Sequence, residues 1–212
     1  MKKVMIAVPC MAQVPIEFCE SLVMLEKPDN MITKFARQAG SLVYTSRNSL
    51  ALRAMQEEAD YVMWFDSDMS FQPDTLVRML EILEKNDLDM LSCLYFRRVR
   101  PYSPVLFDQL DIDETNDICK FHEPESIPDG LFEIAACGFG GVLMRADVLF
   151  DVQGRFGNMF APMGNNGEDV AFCWRARQCG NRIWCDSSLV FGHIGSIAVD
   201  RNFYESYRGV LT

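Results

Sequence analysis

Apolar residues fall along this chain in short unbroken runs, most of them followed by a stretch with helical spacing. Val4–Val8 is the first run and predicts a strand ending at Pro9. Pro15–Leu25 reads as loop and helix, and Ser41–Thr45 as a second short strand. Ser46 then starts a helix whose apolar face is Leu50, Leu52, Ala54, Met55 and Ala59. Tyr61–Phe65 is apolar throughout, without alternation, which fits a central parallel strand covered on both faces. Pro73 opens an amphipathic helix running to Lys85, since proline is tolerated at a first helical position. Leu88–Phe96 predicts a fourth strand. Strand and helix alternate over short connections, the pattern of an α/β fold with a mostly parallel central sheet flanked by helices.

The pattern loosens after Phe96. Val105–Phe107 reads as a short antiparallel strand, and the polar, acidic stretch Asp108–Asp129 as a loop or a small hairpin lid. Phe132–Cys137 and Val142–Met144 predict strands, joined through Gly138, Gly140 and Gly141. A short helix over Arg145–Phe150, a loop over Gly154–Asn166 and a helix over Glu168–Gln178, stopped by Gly180, come next. Arg182–Cys185 and Leu189–Phe191 are the last predicted strands. No linker or repeat divides the 212 residues, so a single domain is expected.

Candidate chemistry begins where Tyr61–Phe65 stops, at Asp66-Ser67-Asp68. The carboxyl end of a central strand is where open α/β sheets bind ligands. Two carboxylates on a tight turn suit a hard divalent cation such as Mg²⁺, which takes one or two carboxylates plus substrate phosphates. The same residues also suit a turn and a helix cap. Glu168 and Asp169 occupy the first turn of a helix, where the macrodipole favours acids. From there a carboxylate could equally act as general base on an attacking hydroxyl. His193, in Phe191-Gly-His-Ile-Gly195, follows an apolar run and is either a packed histidine or a third metal ligand beside the aspartates. His122 is assigned no role. Gly138, Gly140 and Gly141 lack the spacing of a phosphate-cradling loop and mark a tight turn or room for a sugar or acceptor. Arg97, Arg98 and Arg100 form a basic loop, either solvated or facing a donor diphosphate or anionic acceptor.

The net charge is −10, which argues against non-specific nucleic-acid binding and makes a metal more necessary for holding a nucleotide. The 8 cysteines are scattered and contain no Cys-x-x-Cys pair, so a zinc ribbon or thioredoxin-like site is not expected. Met1-Lys-Lys leads into an apolar run too short for a signal peptide, and no stretch has transmembrane length. A soluble, reduced, cytoplasmic protein is expected.

The ordered set of Phe65-Asp66-Ser67-Asp68, the Gly-rich strand Cys137–Leu143, Gly167-Glu168-Asp169 on a helix and a late histidine resembles the GT-A-fold glycosyltransferases, most of all the inverting family-two group. The likeness runs from Lys3 to about Gly195. It implies a single GT-A domain with a nucleotide-sugar-binding half over 1–96 and an acceptor-side half over 97–212. Asp68 would bind Mn²⁺ or Mg²⁺ directly, Asp66 would contact the metal or the ribose, and His193 would complete the metal site. Pro9, Ser46, Arg47 and Ser67 lie where the family holds its nucleotide, a UDP- or GDP-sugar. Asp169, or Glu168, would deprotonate the hydroxyl of an unidentified acceptor. Two departures stand out. The base-holding acid that many members carry after the second strand is absent after Thr45, and the chain's short end at Thr212 gives no indication of lipid-linked acceptors.

Two other classes use similar residues. A metal-dependent phosphohydrolase of the haloacid dehalogenase kind would place Asp-x-Asp after the first strand, where Pro9-Cys10 stands, and a nucleotidyltransferase would carry a Gly-rich basic loop in place of Met11–Pro15. A non-catalytic nucleotide-sugar-binding module would have no need of Asp66, Asp68, Asp169 and His193 together.

Overall fold

The computed structural model describes residues 1–40, 42–113, 118–164 and 166–196. In chain order the elements are β1 (Lys3–Cys10), α1 (Ile16–Met24), β2 (Ile32–Ala39), α2 (Val43–Gln56), β3 (Tyr61–Phe65), β4 (Met69–Ser70), α3 (Thr75–Lys85) and β5 (Met90–Leu94). There follow β6 (Leu106–Phe107), β7 (Gln109–Asp113), β8 (Ile118–His122), β9 (Leu131–Ile134), β10 (Ala136–Cys137), β11 (Gly141–Arg145), α4 (Ala146–Phe156), α5 (Glu168–Gln178), β12 (Ile183–Val190) and β13 (Gly192–His193). Seven strands form the central sheet in the order β2-β1-β3-β11-β5-β12-β9. β1 is parallel to β2 and β3, and β12 to β5. β11 runs antiparallel between β3 and β5, and β9 antiparallel on the β12 edge. The fold is thus α/β around a mostly parallel sheet.

β3 explains its own apolar run. Tyr61, Met63 and Phe65 point into a core shared with Leu76, Met79 and Leu83 of α3. Val62 and Trp64 point the other way, into a core shared with Leu50 and Ala54 of α2 and Leu149 and Val152 of α4. With both faces covered, alternation has no polar side to show. Trp64 and Phe65 are 0% exposed. Burying a side chain of this size contributes roughly 1.5–3 kcal/mol. The strand therefore anchors the loop that carries Asp66 and Asp68.

Several boundaries differ from the sequence reading. The second strand is Ile32–Ala39, and Val43–Thr45, expected as strand, opens helix α2; Ser41 lies outside the described residues. β2 is an edge strand with only Ala36 buried, so its apolar signal is weak. Pro73 precedes α3, which starts at Thr75 after Asp74. The expected strand Phe132–Cys137 is two strands in different sheets, β9 in the central one and β10 paired with β6. The two expected strands at Arg182–Cys185 and Leu189–Phe191 are one strand, β12, with a shift in register between Asp186 and Val190. Helix α4 runs on to Phe156 through Gly154, which was expected in a loop. In the acidic stretch β7 and β8 form an antiparallel hairpin; residues 114–117 lie outside the described residues.

The glycines before β11 have a packing cause. A Cβ on Gly138 or Gly140 would run into the Tyr95 ring, and one on Gly141 into Phe191 and Cys93. The room they make is taken by protein side chains rather than by a sugar or acceptor. Among the described residues no helix is long and apolar enough to cross a membrane.

Candidate active site

An open cleft of about 360 Å³ lies at the carboxyl ends of the sheet's parallel strands. β1 brings Pro9 and Cys10 to it, and α2 brings Ser46 and Arg47. The turn after β3 brings Asp66, Ser67 and Asp68, the head of α5 brings Glu168 and Asp169, and β13 brings His193. The candidate nucleotide, metal and base residues read from the sequence all line this one cleft, whereas Arg97, Arg100 and the glycines before β11 are not in its lining. Met11, Gly40, Val43 and Arg98 also line it.

The turn after β3 is fastened by a backbone clasp. β4, directly after Asp68, pairs antiparallel with β13, opposing Met69 to His193. Ile194 N–H donates to the Asp68 carbonyl at 2.8 Å. This clasp brings His193 to Asp68, with Nε2 3.6 Å from Oδ2. His193 Nδ1 lies 2.9 Å from the Phe96 carbonyl oxygen. A carbonyl only accepts, so Nδ1 donates to it, and Nε2 is the ring nitrogen turned towards Asp68. Donation from the other ring nitrogen to a backbone carbonyl is the usual setting of a metal-ligating imidazole.

Asp66 faces elsewhere. Its Oδ1 accepts from Arg47 Nη2 at 2.8 Å, while Arg47 Nε donates to Glu168 Oε1 at 2.9 Å. Arg47 is 2% exposed, with its guanidinium carbon 5.0 Å from the Phe139 ring centre. Burial works against its charge, but Asp66, Glu168 and Asp169 outweigh it and raise its pKa above the ordinary arginine value. The sequence reading put Arg47 on the nucleotide. The structure puts its guanidinium between two carboxylates in the cleft lining.

Asp68 has a second partner, Arg98 from the basic loop, whose Nη1 lies 2.7 Å from Oδ2. Arg97 instead pairs with Glu123 at 3.0 Å. The sequence left open whether this loop was solvated, and Arg98 proves to face the cleft. Among the described residues no three histidine, cysteine, aspartate or glutamate side chains are gathered for a metal. The donor set fits a hard divalent ion at Asp68 and His193, with Asp66 turned away to Arg47 and substrate oxygens left to complete the shell.

Asp169, in the lining of the same cleft, heads α5. Its Oδ1 accepts from the Val170 N–H at 2.8 Å. Gly167 leaves room for this fold-back, since a Cβ there would lie 2.6 Å from the same oxygen. Burial first, then the neighbouring charge of Glu168, pushes the Asp169 carboxyl up to about 6. Among the contacts described, Glu168 is hydrogen-bonded to Arg47 and Asp169 to the Val170 N–H, so the two acids have different partners.

No family model and no curated protein matches the sequence. Solved structures do. A197 from STIV aligns over 92% of this chain and 87% of its own, with a TM-score of 0.65 and 17% identity. GalNAc-T7, crystallised with UDP, GalNAc and Mn²⁺, aligns over 92% of this chain at TM-score 0.62 and 9% identity. S. aureus TarS 1–349, in complex with UDP-GlcNAc, aligns over 99% of this chain at TM-score 0.59 and 16% identity. GalNAc-T7 and TarS are GT-A-fold glycosyltransferases. This chain has a GT-A-like fold. It spans 44% of the GalNAc-T7 chain and 65% of the TarS 1–349 chain. The second strand is followed by Gly40, Ser41 and Leu42, none of them acidic.

Proposed function

We propose that the protein is a metal-dependent glycosyltransferase that moves a sugar from a nucleoside-diphosphate sugar to an acceptor hydroxyl, with inversion. One observation carries this reading. A single cleft in a GT-A-like fold is lined both by a carboxylate–imidazole pair, Asp68 and His193, and by a carboxylate of raised pKa, Asp169.

In this reading Asp68 and His193 hold Mn²⁺ or Mg²⁺, and Pro9, Ser46, Ser67 and Asp66 line the nucleotide's seat. The divalent ion, when bound, supplies positive charge to the diphosphate as it leaves. Arg47 holds Asp66 and Glu168 in place through its two hydrogen bonds. Asp169 takes the proton of the acceptor hydroxyl. A carboxylate of pKa about 6 is mostly ionised at neutral pH, yet more basic than an ordinary aspartate, and so suits this task. Of the two acids at the head of α5, Asp169 is therefore the base, and Glu168 is held by Arg47.

The test is a calorimetric titration of UDP, GDP and CDP, each with and without Mn²⁺. Metal-dependent binding of one nucleotide supports the glycosyltransferase and names its donor class. Binding of none, with or without metal, overturns it.

A further inference from the structure

We infer that Arg98 stands in for the metal in the free protein: it neutralises Asp68 until a divalent ion arrives with a nucleoside diphosphate, then gives that carboxylate up. The inference rests on the glycosyltransferase reading and adds a residue to it.

The geometry is a contest for one oxygen. Asp68 Oδ2 lies 2.7 Å from Arg98 Nη1 and 3.6 Å from His193 Nε2. Arg98 is the cation that pairs with this carboxylate. A divalent ion held by Asp68 and His193 would compete with Arg98 for the same carboxylate. Two cations that close repel, so occupancy by one weakens the other. Arg98 is seated for the role. Its Nη1 also donates to the Ile194 carbonyl at 3.1 Å, and Gly195 packs so close that a Cβ there would lie 3.1 Å from Arg98 Cδ. Its side chain nevertheless keeps 46% of its surface exposed, so its charge can turn to solvent without a burial penalty. An exposed ion pair of this kind holds only weakly, which suits a partner that must be displaced.

Release has a second consequence. A freed guanidinium beside the cleft is a strong partner for a diphosphate. Nucleotide and metal then assist each other twice, once through direct coordination and once by giving Arg98 a new partner. Coupling of this kind is reciprocal.

The experiment titrates Mn²⁺ alone by calorimetry into the wild type, Arg98→Gln and Arg98→Lys, then repeats each with UDP present. Arg98→Gln should bind Mn²⁺ alone more tightly than the wild type, by roughly fivefold or more, the lower end of common coupling factors. Arg98→Lys should stay near the wild type. UDP should improve Mn²⁺ affinity more in the wild type than in Arg98→Gln. A residue with a merely structural role would move metal affinity the other way on removal. If the wild type binds Mn²⁺ with UDP but Arg98→Gln binds Mn²⁺ alone no more tightly, the Arg98 inference is overturned and the glycosyltransferase reading stands. If no protein binds Mn²⁺ with or without UDP, both are overturned.

Discussion

Arg47 Nε donates to Glu168 Oε1 at 2.9 Å and thereby ties helix α2 to the head of helix α5 at the cleft. Its Nη2 holds Asp66 at 2.8 Å, so one buried guanidinium serves carboxylates from two other elements. Arg47→Met would leave Glu168, itself 9% exposed, without its counter-charge. Removing one partner of a buried ion pair costs roughly 3–5 kcal/mol. A loss of that size is expected in urea denaturation, with a smaller loss for Arg47→Lys, which keeps the charge but not the fork. A loss below about 1 kcal/mol, the range of exposed pairs, would show that the bridge is incidental to the fold.

Asp68 lies at the rim, with 28% of its side-chain surface exposed. Asp68→Ala should fold with stability within about 0.5 kcal/mol of the wild type, as for most surface changes. It should lose the metal-dependent part of UDP binding. Asp66→Asn should behave differently, because Arg47 depends on the Asp66 charge: stability falls along with binding. Thermal melts beside calorimetry separate the two. Equal effects of the two substitutions on both readouts would sink the division of labour between these aspartates.

How much of this was legible in the sequence follows from burial and chain distance. The run Tyr61–Phe65 announced β3 because both of its faces are buried, and the acids at its end marked the cleft. Glu168 and Asp169 were legible because they begin a helix. β2 was missed because an edge strand whose one buried residue is Ala36 looks like a polar segment, while Val43–Thr45 has strand-like side chains but tertiary context makes it helix. The clasp of β4 with β13 rests on two-residue strands, too short to leave a pattern. The partners of the arginines were out of reach for another reason. Composition says that a guanidinium needs a carboxylate. Only the fold says that Arg47 meets Asp66 and Glu168, and that Arg98 meets Asp68.

Gly138 offers a test of the packing behind the cleft. An added Cβ would collide with the Tyr95 hydroxyl, the same group that accepts the Gly140 N–H at 3.3 Å. Gly138→Ala should destabilise the chain by roughly 1–3 kcal/mol, the usual cost of overpacking. Tyr95→Phe removes the colliding oxygen, so the double variant should recover part of that loss. A double-mutant cycle on denaturation midpoints measures the recovery. Strict additivity would mean that the clash is relieved by backbone movement instead.

Asp169 joins stability to chemistry at one position. Its pKa rises from an ordinary 3.8 to about 6, through burial first and Glu168 second. Between those values the folded chain keeps a proton that the unfolded chain has released. Stability from this group is therefore present at low pH and lost as pH rises through about 6. Above that, the ionised carboxylate costs roughly 1–3 kcal/mol, discounted for its partial exposure. Asp169→Asn has no charge to bury and can still accept from the Val170 N–H. It should melt later than the wild type at pH 8, and the advantage should fade towards pH 4. If Asp169 is the base, the same substitution keeps donor binding but slows transfer by roughly 10²–10⁴-fold, the usual yield of general-base catalysis. The wild-type rate should climb as pH passes about 6, and the variant should lack that limb. A variant that is stabilised yet slow fits a carboxylate held in a costly state for its chemistry. One that loses stability or donor binding would make Asp169 a helix cap or a ligand instead.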